Sequence, residues 1–212
     1  MGTIIKTILE NIGWMLSWLI PAKAPKLWRA IIAHIYTGTL KNKFAHWGHN
    51  SVIAYRAKNL FGLCYIKVGD DTQIAQNVQL TAWNQYKGLS YNPEIIIGNH
   101  CNIRDNVHIS AIGQIEIGNY LLTGTNVLIT DNSHGALDFD MLQLPPEERP
   151  LFCKGKISIG NNVWLGNNVC ILSGVTIGDG AIIGANAVVT HDIPAYSIAV
   201  GIPAHVIKQN KT

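Results

Sequence analysis

The chain has 212 residues, 48% hydrophobic and 14% charged, with a formal charge of +3. It is too apolar for a disordered chain, large enough for one sizeable domain with a small appendage, and too weakly basic for a dedicated nucleic-acid binder. Its four cysteines, Cys64, Cys101, Cys153 and Cys170, form neither a C-x-x-C pair nor a zinc-like spacing with histidine, so they read as reduced, mostly buried thiols of a cytoplasmic protein.

Residues 1–50 form a unit of their own. Apolar residues recur at helical spacings over 3–20 and 25–36, with Trp14, Trp18 and Trp28, and Pro21 and Pro25 split the two stretches. The spacing predicts two short helices. The apolar run 12–20 is well under the ~18 residues of a spanning helix, and no secretory signal is visible. Two readings are open. The helices cap the end of the domain that follows, or they form a membrane-surface anchor, with Lys6, Lys23, Lys26, Arg29, Lys41 and Lys43 near the tryptophans. The second reading gives residues 1–45 a peripheral contact at the inner membrane.

Residues 51–208 are organised by a repeat of six, and 209–212 are a tail. Ile159, Leu165, Ile171, Ile177, Ile183 and Val189 follow one another without a gap. Small or β-branched residues stand four positions after each of the first five: Val163, Val169, Val175, Ala181 and Ala187. A period of six is neither helical nor simple alternation. It turns an aliphatic side chain inward at each corner of a three-sided prism, and three hexads make one coil of ~18 residues, with parallel strands stacked between coils. Gly and Asn beside the corners tolerate the positive φ of tight turns. The same phase appears upstream in Val68, Ile74 and Leu80, in Ile97, Ile103 and Ile109, and in Ile117, Thr123 and Ile129. Interruptions at 83–94 and 113–115 separate these triplets, and the repeats predict a mainly β protein, a parallel β-helix of about five coils. The polar, proline-bearing stretch 130–158 cannot be prism wall and is expected to project as a loop.

His134, in TDNSHG at the entry to that loop, is the candidate general base. Asp131 and Asp138 flank it, and either could hold the ring in its tautomer, Asp131 being the nearer in sequence. Trp164 has an outward phase, which suits packing under the loop or lining a site. Thr190, His191, His205, Lys208 and Lys211 give the last coil polar and basic character suited to phosphates, or to plain solvation.

The segment ISIGNNVWLGNNVCILSGVTIGDGAIIGANAVVTHDIPAYSIAVGIPAHVIK, residues 157–208, resembles the C-terminal signature of the hexapeptide-repeat acetyltransferases. The resemblance extends over 68–208 and implies a left-handed β-helix, a homotrimer with sites between subunits, and acetyl-CoA as co-substrate. It implies His134 as the catalytic base and Trp164 beside the reactive end of cofactor or acceptor. It further implies cofactor contacts at Asn167, Ala185, Thr190, His191 and Lys208, and no metal. His191 and His205 stand where relatives often carry Lys or Arg. The loop between His134 and Trp164 is about six residues longer than in the sugar acetyltransferases. Their acidic acceptor-binding position falls near Ile112, which cannot bond a sugar hydroxyl. The DNSHG loop, the PPEERP stretch and the apolar N-terminal unit look more like the O-acetyltransferases of surface polysaccharides. The expected partners are therefore acetyl-CoA and a carbohydrate acceptor. Rival readings are an antibiotic, amino-sugar or serine acceptor, a non-catalytic scaffold, and a carbonic anhydrase using His100, His108 and His134, whose spacings of eight and twenty-six residues fit poorly.

Overall fold

The computed structural model describes residues 3–17 and 24–210; Trp18, Pro21, Lys23 and Lys211 lie outside the described residues. Short strands stack into three parallel sheets that form the faces of a prism. The first face runs from His46–Trp47 through Ile66–Val68, Glu94–Ile97, Gln114–Ile117 and Ile157–Ile159 to Thr176–Ile177. The second runs from Val52–Ile53 through Gln73–Ile74, Asn102–Ile103, Leu122–Thr123, Trp164–Leu165 and Ile182–Ile183 to Ser197–Val200. The third holds Asn59–Phe61, Gln79–Ala82, His108–Ala111, Leu128–Thr130, Cys170–Ile171 and Val188–Val189. His205–Gln209 closes the second face as an antiparallel strand.

Every aliphatic residue of the repeat is buried, and so are the small residues four positions on. Burial of each such side chain stabilises the fold by roughly 1.5–3 kcal/mol. The corners adopt the left-handed conformation expected of Asn and Gly, as at Asn162, Asn168, Gly174, Gly180 and Asn186. Amides tie the coils along one edge, from Asn106 to Asn126 (3.0 Å), Asn126 to Asn168 (3.1 Å) and Asn168 to Asn186 (2.9 Å).

The coil count exceeds the expectation of about five: each face carries six stacked parallel strands, and the second carries a seventh. The additional coil is the first, 46–61, whose register sets Trp47, Ile53 and Leu60 over Val68, Ile74 and Leu80. A seventh residue between Ile53 and Leu60, with Arg56 at φ 75°, breaks the period there. That coil begins inside the segment assigned to the N-terminal unit.

Two helices precede it, Thr3–Ser17 and Ala24–Leu40. The second docks on the first coil. Tyr36 and Leu40 pack against the core, and the Thr37 hydroxyl accepts from the Ile53 N–H (3.0 Å) while donating to the Ala33 carbonyl (2.8 Å). This end of the helix covers the open core. Its other stripe, Leu27, Trp28, Ile31, Ile32 and Ile35, is exposed, as are Ile5, Ile8, Leu9 and Ile12 on the first helix. The cysteines are less buried than expected. Cys101 is buried, Cys153 and Cys170 are half-buried and Cys64 is exposed.

Candidate functional site

The stretch after the fourth coil leaves the wall as expected, yet it is ordered by its own ladder. Ser133–His134 pairs antiparallel with Leu151–Phe152, His134 opposite Leu151. Gly135 follows at φ 86°, and a Cβ there would stand 2.9 Å from the Arg149 side chain. Arg149 donates to the Leu144 carbonyl (2.9 Å) and so gathers the loop behind His134.

The exposed His134 ring stands where two clefts meet, and Thr130 and Asn132 border both. The first cleft, about 480 Å³, lies under the loop. Leu137, Leu142, Phe152 and Leu172 give it an apolar wall, with Lys154 and Thr190 as polar edges. Leu137 is 93% exposed, an apolar surface open to a ligand. The second cleft, about 360 Å³, lies on the third face beside Trp83, Tyr86, His108 and Ser110.

Neither flanking aspartate orients His134. Asp131, one of the two candidates to hold the ring, is fully buried and turned away. One oxygen accepts from the Ile112 N–H (2.9 Å) and from the Asn132 amide (3.2 Å), and the other accepts from the Gly113 N–H (2.8 Å). It braces the turn one coil earlier. Burial pushes its carboxyl above the ordinary value, opposed by these donors. Asp138 caps the short helix Phe139–Gln143, accepting from the Met141 N–H (2.9 Å). The group that does meet the His134 ring is Tyr86, edge-on with centroids 5.6 Å apart.

The other anticipated residues fall on two surfaces. Thr190 lines the first cleft with His134, and its hydroxyl meets His191 Nδ1 at 2.8 Å. Trp164 lies on the second face, 50% exposed, between Leu122 and Ile182 in register. It lines neither cleft. Asn167 and Ala185 stand on adjacent coils just past the second face, where a Cβ on Gly166 would meet Ala185 at 2.6 Å. Lys208 pairs with Ile198 on the terminal strand, and His205 with Val200. His100 sits at a corner stacked on Tyr120, with centroids 4.7 Å apart, while His108 faces the second cleft, so the histidines of the carbonic anhydrase reading occupy different surroundings.

Sequence reasoning passed over Trp83, Tyr86 and Asn132 and considered His108 only as a metal ligand. The signal available was the three aromatics, Trp83, Tyr86 and Tyr91, inside the 83–94 interruption.

Residues 156–191 match the family described as bacterial transferase hexapeptide (six repeats). The chain is 37% identical over 119 residues to the "Putative lipopolysaccharide biosynthesis O-acetyl transferase WbbJ" of Escherichia coli (strain K12). That match spans 54% of this chain and 60% of the relative's length. Among solved structures, a point mutant of AntD, an N-acyltransferase from Bacillus cereus, in complex with dTDP and coenzyme A, superposes with a TM-score of 0.66 at 20% identity, covering 82% of this chain and 88% of that one. A hexapeptide-repeat containing acetyltransferase from Vibrio cholerae O1 biovar eltor, complexed with acetyl coenzyme A, superposes with a TM-score of 0.59 at 24% identity over 91% of each chain. Residues 156–191 thus carry the hexapeptide repeat, and the chain shares the left-handed β-helix fold of the superposed structures.

Proposed function

We propose that this chain is an O-acetyltransferase that moves an acetyl group from acetyl-CoA to a sugar hydroxyl of a cell-surface polysaccharide or its precursor, with His134 as general base. The observation that carries the reading is the place of His134 on the ridge shared by two clefts. One cleft suits the donor. Its leucines and Phe152 match an apolar acyl and pantetheine chain, and Lys154 suits a phosphate. The other opens on the far side of the same imidazole. His134 would take the proton of the acceptor hydroxyl as its oxygen attacks the thioester carbonyl. The C–S bond breaks, and the proton passes to the departing thiolate. The match to the Escherichia coli protein favours a glycan acceptor.

Thr190 and His191 are assigned to the donor beside this cleft. Trp164, Asn167, Ala185 and Lys208 face a different surface of the same protomer, and a homotrimer would bring that surface of one copy against the cleft of the next. The exposed Leu122 and Trp164 support such a contact. The apolar stripes of the two helices, with Lys6, Lys26 and Arg29 beside them, support peripheral membrane contact from the cytoplasmic side. Among the described residues no helix is long and apolar enough to cross a membrane.

The test is thiol release from acetyl-CoA with glycan acceptors, alongside calorimetry with coenzyme A. His134→Ala is expected to slow transfer on the order of 10²–10⁴-fold while retaining coenzyme A binding. Full activity in that variant would overturn the base assignment. Absence of coenzyme A binding by the native chain would favour a scaffold, and transfer to serine alone would end the glycan reading.

A further inference from the structure

The interruption at 83–94 is a built element. After the strand Gln79–Ala82 the chain leaves the third face and forms a hairpin, Gln85–Tyr86 against Leu89–Ser90. Lys87 and Gly88 turn it with φ of 48° and 78°, as a two-residue hairpin turn requires. The hairpin reaches across to the loop that carries His134. The Tyr86 hydroxyl donates to the Glu147 carbonyl (2.9 Å). The Tyr91 hydroxyl bonds both the carbonyl (3.2 Å) and the N–H (3.0 Å) of Leu151, the residue opposite His134. Two insertions are thereby fastened together through residues 60 and 61 apart in the chain, and the second cleft lies beneath them.

The walls of that cleft differ in character. One side is aromatic. Trp83 packs on Phe61 with the rings tilted by 30° and centroids 4.5 Å apart, and Tyr86 is fixed by its hydroxyl bond and its edge contact with His134. The floor is polar and uncharged. The Asn132 amide donates to the Ser110 carbonyl (3.1 Å) and hydroxyl (3.2 Å), and His108 Nε2 lies 3.3 Å from the Thr81 hydroxyl. Burial, aided by Lys58, lowers the His108 ring from its ordinary value and so disfavours its charged form. At about 360 Å³ the cleft is near the low end of the ~300–1,000 Å³ typical of small-molecule sites.

Resting on the acyl-transfer reading above, we propose that this cleft is the acceptor subsite and takes one neutral pyranose ring. The apolar C–H face of the ring lies on Trp83 and Tyr86, and its hydroxyls bond His108, Ser110 and Asn132, with one hydroxyl at His134. The aromatic wall supplies contact area without charge, and the floor supplies donors and acceptors at fixed positions. The cross-loop bonds of Tyr86 and Tyr91 hold the wall in place before any ligand arrives, which lowers the entropic cost of binding.

Saturation-transfer NMR on the full chain tests this with methyl α-D-glucopyranoside, methyl α-D-galactopyranoside and methyl α-D-mannopyranoside. At least one of the three is expected to receive saturation on its ring C–H protons. That signal should fall fivefold or more in Trp83→Leu and in Tyr86→Leu, and persist in Tyr86→Phe, which keeps the ring. Circular dichroism confirms that each variant folds, and coenzyme A affinity within twofold of the native value shows the donor cleft intact. No transfer from the native chain to any of the three sugars would overturn the proposal, as would undiminished signals in either folded leucine variant. Failure of the native chain to bind coenzyme A would instead sink the transferase reading, whatever the sugars show.

Discussion

Replacing Asp131 by alanine tests what the buried carboxylate does. In the native chain it satisfies the N–H groups of Ile112 and Gly113, which turn the third coil into the fourth. Ile112 is buried and Gly113 half-buried, so water replaces neither bond fully after truncation. Each orphaned donor costs about 1–3 kcal/mol, and release of a buried charge offsets part of the loss. The expected destabilisation is about 2–4 kcal/mol at neutral pH, read as a lower urea midpoint with unchanged m-value. The pH dependence has a definite sign. The folded carboxyl titrates above its ordinary value of 3.8, so between the two values the folded chain holds more protons than the unfolded chain. Stability from this group is therefore present below 3.8 and is lost as pH rises through the folded value. The variant lacks that component, and its deficit should widen as pH falls toward 3.8. A loss under about 0.5 kcal/mol at neutral pH would refute the bracing role, since ordinary surface changes fall in that range.

Three further outcomes follow from the fold and the proposed donor cleft. Ile109 is fully buried at the centre of the third face, and Ile109→Ala should cost about 2–5 kcal/mol in urea unfolding. Asn168 sits at φ 58° within the amide ladder, so Asn168→Ala should lower stability by about 1–2 kcal/mol, while Asn168→Gly, free of the left-handed penalty, should lose less. Lys154→Ala should raise the KM for acetyl-CoA several-fold with kcat little changed, as loss of a contact made equally in ground and transition states requires. Steady-state kinetics at saturating acceptor would show it.

The prism was legible because every corner must bury an aliphatic residue, and six-fold spacing records that need directly. Ile159 through Val189 display it without a break. The first coil was hidden by one inserted residue near Arg56, which shifts Leu60 out of phase although its strand still pairs in register. His134 stood out because TDNSHG ends a triplet. The role of Asp131 could not be read locally, since its partners lie eighteen and nineteen residues back on another coil. Trp164 had a legible outward phase, yet phase alone does not say which face points outward toward the site. The second cleft left still less trace. Its closing bonds join residues about sixty apart, and no periodicity encodes a contact between two departures from the repeat.

Stacking explains why these departures meet. The hairpin leaves the third face after the second coil, and the His134 loop leaves the same face after the fourth. Strands of adjacent coils lie about 4.8 Å apart, so the two exits are about 10 Å apart along one edge of the prism. The third coil exits between them, and there the chain turns at once, through Ile112 and Gly113. An insertion at that point would stand between Tyr86 and Glu147 and break the clasp. Asp131, at the root of the His134 loop, holds the intervening turn tight through both N–H groups. The residue that failed as a partner for the imidazole thus keeps clear the gap across which the hairpin reaches the loop, and the cleft beside His134 depends on a turn that contributes no side chain to its lining.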